Sequence, residues 1–226
     1  MSVHFSPPPK TLAVFRVDGA LFDTSMARAS SWMLMQQRDW SARLAGTTLA
    51  ATLPHMLRSL WSDNDIAQRA MWAPLRGCSE DRLELLAEDF ARDILAPSLR
   101  PVAARFHADA LERGDHVVWV TPLPRRLLGE LPQEMGAHHV LCNTLEMTHR
   151  AATGLLTGPL QTGELDGMWL RTYAQQRGLS TDFSLGYGAR ATDATLLSAV
   201  ARPCAIHPDS ALRRLAKRLD WPVVLT

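Results

Sequence analysis

Leu12-Ala13-Val14-Phe15-Arg16-Val17-Asp18-Gly19-Ala20-Leu21-Phe22-Asp23 begins with an apolar run and passes directly into a polar turn with a glycine. A short apolar run bounded by turn residues is the pattern of a strand buried on both faces. The polar residues that follow it fall at a strand end, a common place for a site. The pattern recurs at His116-Val117-Val118-Trp119-Val120, ending at Thr121, at Phe183 to Tyr187 and at Cys204-Ala205-Ile206, and Val223-Val224-Leu225 closes the series. Helical periodicity lies between these runs: Val102 to Arg113 stopped by Gly114, Pro124 to Met135, Gly167 to Arg177 closed by Gly178, Asp193 to Ala201, and Ser210 to Leu219. Gly136 to Cys142 leads into one further strand, and Leu145 to Leu160 reads as a hairpin through Gly154. This alternation predicts an α/β, Rossmann-like core: a mainly parallel sheet flanked by helices, with ligands beyond the carboxyl ends of its strands.

One stretch departs from the alternation. From about Thr24 to Pro97 the residues are good helix formers, with Thr24 or Ser25 as an N-cap and Ser79-Glu80-Asp81 opening a helix over Arg82 to Leu95. The expectation is an all-helical cap at 24–97 inserted after the first strand of a core formed by 1–23 and 98–226. The cap carries Met26, Trp32, Met33, Met35, Trp40, Met56, Trp61, Met71 and Trp72. Most of these suit the cap's own core, and any that are exposed offer an adaptable apolar surface to a protein partner, a homodimer or an apolar ligand.

Composition narrows the function classes. Lysine and arginine total 24 against 23 acidic residues, a net +1 that provides no field for nucleic acid or an anionic membrane. No apolar run reaches the ~18 residues of a spanning helix, and no basic patch with an apolar region opens the chain. Cys78, Cys142 and Cys204 lack C-x-x-C spacing, which fits reduced thiols and a cytoplasmic location. His107, His116, His138 and His139 lack metal-ligand spacing, and structural or surface roles are expected of them.

Four strand ends carry phrases that resemble the motifs of the haloacid dehalogenase superfamily, in its phosphoserine-phosphatase-like branch, over nearly the whole chain. The family's first phrase, D-x-D-G-T, corresponds to Arg16-Val17-Asp18-Gly19-Ala20, so its second aspartate and glycine remain and its first aspartate is arginine. The second, a strand ending in serine or threonine, corresponds to Val118-Trp119-Val120-Thr121. The third, a lysine at a helix start, falls on Asp166 in Gly163-Glu164-Leu165-Asp166. The fourth, Y-G-D-S-x-x-D, corresponds to Tyr187-Gly188-Ala189-Arg190-Ala191-Thr192-Asp193, with alanine for its first acid and Asp193 for its second.

The resemblance implies a nucleophile at position 16, an acid/base at Asp18, phosphate-holding groups at Thr121 and Gly19, and Mg²⁺ held in part through position 189. Arg16 cannot attack, because guanidinium stays protonated and has no lone pair to offer. With Ala189 as well, the ancestral Mg²⁺ site is expected to be lost and no cofactor is expected. Arg16 and Asp166 would then pair with their signs exchanged relative to the family. The reading is a degenerate family member, a pseudophosphatase binding a protein partner or a small anion held near Arg16, Thr121 and the strand-end amides. Its alternatives are an active phosphomonoester hydrolase with a site rearranged around Asp18, Thr121 and Asp193, or a metal-independent acid/base enzyme using Asp18.

Overall fold

The computed structural model describes residues 11–36, 71–158 and 163–225, so Trp40, Met56 and Trp61 lie outside the described residues. In chain order the regular elements described are β1 (Thr11–Arg16), α1 (Met26–Met35), α2 (Glu80–Phe90), α3 (Pro101–Glu112), β2 (His116–Pro124), α4 (Leu131–Glu134), β3 (His139–Thr148) and β4 (Ala151–Thr157). There follow α5 (Asp166–Arg177), β5 (Ser180–Gly188), α6 (Ala194–Leu197), β6 (Arg202–Ile206), α7 (Ser210–Arg218) and β7 (Val223–Val224). The strands form one sheet in the order β4-β3-β2-β1-β5-β6-β7. Every neighbouring pair is parallel except the β3–β4 hairpin.

The apolar run Leu12 to Phe15 is the central strand of the sheet. Leu12 to Phe15 are fully buried, and a strand with no wet face belongs in the middle of a sheet covered on both sides. Its side chains alternate between two apolar clusters, as strand geometry requires. Ala13 and Phe15 join Trp119 against α1, α2 and α3, whereas Leu12 and Val14 join Val118 and Val120 against Leu170 of α5 and Leu196 of α6. Each of the larger of these buried side chains contributes about 2 kcal/mol of transfer free energy.

The described part of 24–97 is helical and shares the first of these clusters. Ala29 and Met33 of α1, Trp72 and Leu75 of a 3₁₀ turn, and Leu83, Leu86 and Phe90 of α2 are buried in it. Helix α2 starts where Ser79 Oγ accepts from the Arg82 amide at 3.2 Å, and it continues through a π-helical turn over Ala91–Leu95. Of the methionines and tryptophans predicted to mark this region, Met33 and Trp72 are fully buried, Met26, Trp32 and Met71 pack against the cluster, and Met35 is 80% exposed.

Several expected boundaries are corrected. The β3–β4 hairpin turns at His149 and Arg150, both left-handed with φ of 50° and 63°, and not at Gly154. Gly154 sits inside β4 because Ala73 approaches it: an added Cβ would lie 3.1 Å from the Ala73 Cα. Strand β2 runs past Thr121 to Pro124 through a register irregularity, and side chains satisfy the interrupted ladder there. Thr121 Oγ1 accepts from the Leu123 amide at 3.1 Å, and Asn143 Nδ2 donates to the Pro122 carbonyl at 2.7 Å. The helix expected over Pro124 to Met135 is a 3₁₀ turn, Arg125–Leu128, and the short α4, broken apart by Gly129 at φ 52° and ψ −137°. The helix expected over Asp193 to Ala201 ends at Leu197, because the Ala201 amide turns to Ser184 Oγ and Val200 packs onto Gly186 of β5.

Candidate functional site

Strand β1 lies between β2 and β5, parallel to both, so the three carboxyl ends open on one edge of the sheet. Arg16 is the last residue of β1, Asp18 and Gly19 form the turn beyond it, and Thr121 stands on β2. Asp166 begins α5, and Asp193 closes the 3₁₀ turn after β5. The fold brings these five side chains and Gly19 together. Arg16, expected at the site's centre, is 4% exposed, and its guanidinium does not reach out to solvent.

The guanidinium of Arg16 is enclosed by carboxylates. Its Nη1 donates to Asp166 Oδ2, and its Nε lies 3.3 Å from both Asp18 Oδ1 and Asp193 Oδ1. Thr121 Oγ1 donates to Asp18 Oδ1 at 3.3 Å. Asp193 Oδ2 accepts from the Ala189 and Arg190 amides at 2.8 and 2.9 Å. Asp193 can come this close because Gly188 has no side chain: a Cβ there would sit 2.9 Å from the Asp193 Cβ.

The turn after Asp18 requires glycine, since Gly19 adopts φ 94°. Its amide donates to the Phe22 carbonyl at 2.8 Å, and its carbonyl accepts from Arg100 Nε at 2.9 Å. Position 189, an alanine, is 3% exposed and contributes no oxygen beyond its backbone.

Arg16 faces three carboxylates, and Arg190 acts on Asp18 from the edge of the cluster, so full ionisation leaves the buried centre with excess negative charge. Burial pushes the Asp166 carboxyl up to about 6, against the pull of Arg16. Burial and the neighbouring Asp193 also raise Asp18, opposed by Arg16 and Arg190. Burial works to lower the Arg16 pKa, but the charges of Asp18, Asp193 and Asp166 outweigh it and hold the guanidinium firmly protonated. A proton shared within the cluster relieves the excess charge, and burial favours it on Asp166 and Asp18, the two carboxyls whose pKa is raised.

Two arginines at the site went unassigned in the sequence reading. Arg190 donates to the Thr24 carbonyl at 2.9 Å, and its Nε would lie 3.2 Å from a Cβ on Gly19. Its signal was its place inside the Tyr187 to Asp193 phrase. Arg100 also holds Asp23 at 2.7 Å, and it precedes α3 with no motif to mark it.

The other candidates are structural. His107 is buried and accepts from Trp119 Nε1 at 2.9 Å, and burial lowers its pKa to about 4. His116 Nε2 meets the Tyr173 hydroxyl at 2.8 Å, and the His139 ring stacks on Tyr173. Burial raises the Cys142 and Cys204 thiols to about 11, which leaves them poor nucleophiles at neutral pH. Among the described residues no helix is long and apolar enough to cross a membrane.

Residues 13–198 match a family model described as haloacid dehalogenase-like hydrolase. Phosphoserine phosphatase SerB1 of Mycobacterium tuberculosis is 26% identical over 213 residues, covering 93% of this chain and 69% of its own. The inhibition of morphological differentiation protein of Streptomyces azureus is 24% identical over 220 residues, 96% of this chain and 78% of its own. Among solved structures, a Bordetella pertussis Tohama I protein of unknown function superimposes with a TM-score of 0.82 at 23% identity, covering 96% of this chain and 99% of that one. A phosphoserine phosphatase carrying a phospho-aspartyl intermediate analogue gives a TM-score of 0.67 at 13% identity, over 96% and 93% of the two chains.

Proposed function

Because this chain belongs to the haloacid dehalogenase-like hydrolase family while a buried, ion-paired arginine fills the centre of its strand-end site, we propose that it is a catalytically silent member acting by binding a protein partner. The observation that carries this reading is the enclosure of Arg16 by Asp18, Asp166 and Asp193. Arg16 stands where the motif resemblance puts the attacking aspartate, and a guanidinium cannot attack phosphorus. Asp166 stands where the resemblance puts a lysine, and its contact with Arg16 supports an ion pair kept with its signs exchanged.

The residues present do not fit the family's divalent cation. A hard dication wants about six oxygens. Here Ala189 supplies no side-chain oxygen, Asp193 Oδ2 is taken by two amides, and Asp18 Oδ1 faces the guanidinium at 3.3 Å. A small anion near Arg16 is disfavoured as well: the Gly19, Leu123, Ala189 and Arg190 amides each have a partner within the chain. The three surrounding carboxylates would also repel it. A protein partner remains, and it is consistent that the Streptomyces relative is named for an inhibition and not for a reaction.

The test is a panel of phosphomonoesters assayed with Mg²⁺, using the native protein and the triple variant Arg16→Asp, Asp166→Lys, Ala189→Asp. The silent reading expects turnover in the variant alone, because loss of a nucleophile lowers rates by about 10⁶ in the best-studied series. A second reading, a hydrolase rearranged around Asp18, Thr121 and Asp193, draws support from the relative named phosphoserine phosphatase and from the raised Asp18 carboxyl. Native turnover abolished by Asp18→Asn would establish that reading and overturn the first.

A further inference from the structure

Away from the strand-end site, α2 and α4 wall a groove of about 650 Å³. Its floor is apolar, with Ala87 and Ala91 from the α2 side and Leu128 and Leu131 from the other. Small alanines leave the volume open, and the walls above them are acidic. Glu84 and Glu88 stand one turn apart on α2, and Glu130 and Glu134 stand one turn apart around α4. All four are exposed, and none has an ion pair among the described residues. The arginines of the lining do not offset them, because Arg92 is held by Asp89 and Asp93, and Arg126 by Glu80. Like charges one turn apart on a helix repel.

The same chain presents the complement. Helix α7 buries Leu212 and Ala216 against Ala205 of β6 and turns Arg213, Arg214, Lys217 and Arg218 to solvent. These form two rows, Arg213 with Lys217 and Arg214 with Arg218, at the one-turn spacing of the glutamates. No ion pair among the described residues engages them. Their alkyl stems suit an alanine and leucine floor while the charged heads reach the walls. The helix lies on β6 and the groove beside β3, with β2, β1 and β5 between them in the sheet. At ~4.8 Å per strand the helix stands too far from its own molecule's groove to enter it.

We propose that the groove between α2 and α4 receives the basic face of α7 from a second copy of this chain. The contact is heterologous, groove to helix, so association closes into a ring or continues head to tail. It is independent of whether the strand-end site catalyses, and the phosphatase assay has no bearing on it. Exposed charges carry the attraction, and screening shortens their reach from ~10 Å at 0.1 M salt to ~3 Å at 1 M.

The test is sedimentation at low and high salt, combined with zero-length carbodiimide coupling of carboxylates to amines in a mixture of isotopically light and heavy protein. Lys10 and Lys217 are the chain's lysines, so the products are few. The expected result is salt-sensitive self-association, with Lys217 of one isotope joined to Glu84, Glu88, Glu130 or Glu134 of the other. Glu84→Arg with Glu88→Arg should weaken association roughly tenfold, as should Arg213→Glu with Arg214→Glu. Mixing the two variants should restore it, and all four positions are exposed, so circular dichroism should show both variants folded. A protein monomeric at every concentration in low salt overturns the proposal. So do failure of the mixture to associate and coupling of the groove to Lys10 of its own chain, which would make the amino-terminal segment the occupant.

Discussion

The Arg16 guanidinium and the Asp166 carboxylate form a buried ion pair across 150 residues of sequence, joining the end of the central strand to the start of α5. The pair is part of the framework of the site, because the same guanidinium also faces Asp18 and Asp193. Its energetics follow from desolvation. Buried ions are costly, and removing one partner costs more than the pair contributes, since the other charge stays behind unpaired.

Arg16→Ala should therefore be severely destabilising, by about 3–5 kcal/mol in urea unfolding, because three carboxylates lose their common cation. Arg16→Lys should lose less, since it keeps the charge while giving up the planar fork. If Arg16→Ala cost under ~1 kcal/mol, the carboxylates would have to be protonated or hydrated in the folded protein, and the picture of a tight ionic cluster would be wrong.

Asp166 sets the alkaline side of the pH profile. Its folded pKa, about 6, lies above the unfolded value of 3.8, so its contribution is complete below 3.8 and lost as pH rises through about 6. The loss is on the order of 3 kcal/mol. Asp166→Asn removes that loss and keeps an oxygen for Arg16, so the variant should gain on the native protein between pH 4 and pH 7. Urea midpoints at the two pH values measure the gain, and an unchanged difference between the proteins would refute the assignment.

The central strand was legible because four buried apolar residues followed by a polar turn have few other readings. The convergence of Arg16, Asp18, Thr121, Asp166 and Asp193 could be anticipated only by setting phrases beside one another, since spacing alone does not bring position 166 to position 16. The hairpin turn was misread because Gly154 is the commoner turn residue, whereas His149 and Arg150 accept left-handed geometry with no sequence signal. Arg190 and Arg100 were missed because an arginine that bonds backbone carbonyls looks the same in sequence as one on a wet surface.

His107 acts in the opposite direction to Asp166. Its folded pKa, about 4, lies below the unfolded 6.5, so its contribution is present above 6.5 and lost as pH falls through about 4. That loss is also on the order of 3 kcal/mol, and it opposes the gain from Asp166 over the same range. Asp18, also raised by burial, adds to the Asp166 side, so the native profile between pH 4 and pH 6.5 is set by two opposed contributions. His107→Gln, which keeps an acceptor for Trp119 Nε1, should tilt the profile towards higher stability at low pH. A native profile falling steeply with acid, unchanged in His107→Gln, would place the acid sensitivity elsewhere.

Gly167 links packing to the site. It is buried on the first turn of α5 beside Asp166, and a Cβ there would fall on the Thr195 carbonyl of α6. Gly167→Ala must push α5 away from α6, at a cost of about 1–3 kcal/mol for overpacking. Asp166 is the neighbouring residue on the same turn, so a shift of α5 that displaces it loosens its pair with Arg16 and adds to the loss. With Arg16 already replaced by alanine, there is no pair left to loosen, and moving Asp166 relieves crowding among three carboxylates. The two substitutions should therefore cost less together than the sum of their separate costs, by roughly 1 kcal/mol or more in a double-mutant cycle. Strict additivity would mean that the α5–α6 contact and the ionic cluster are energetically separate.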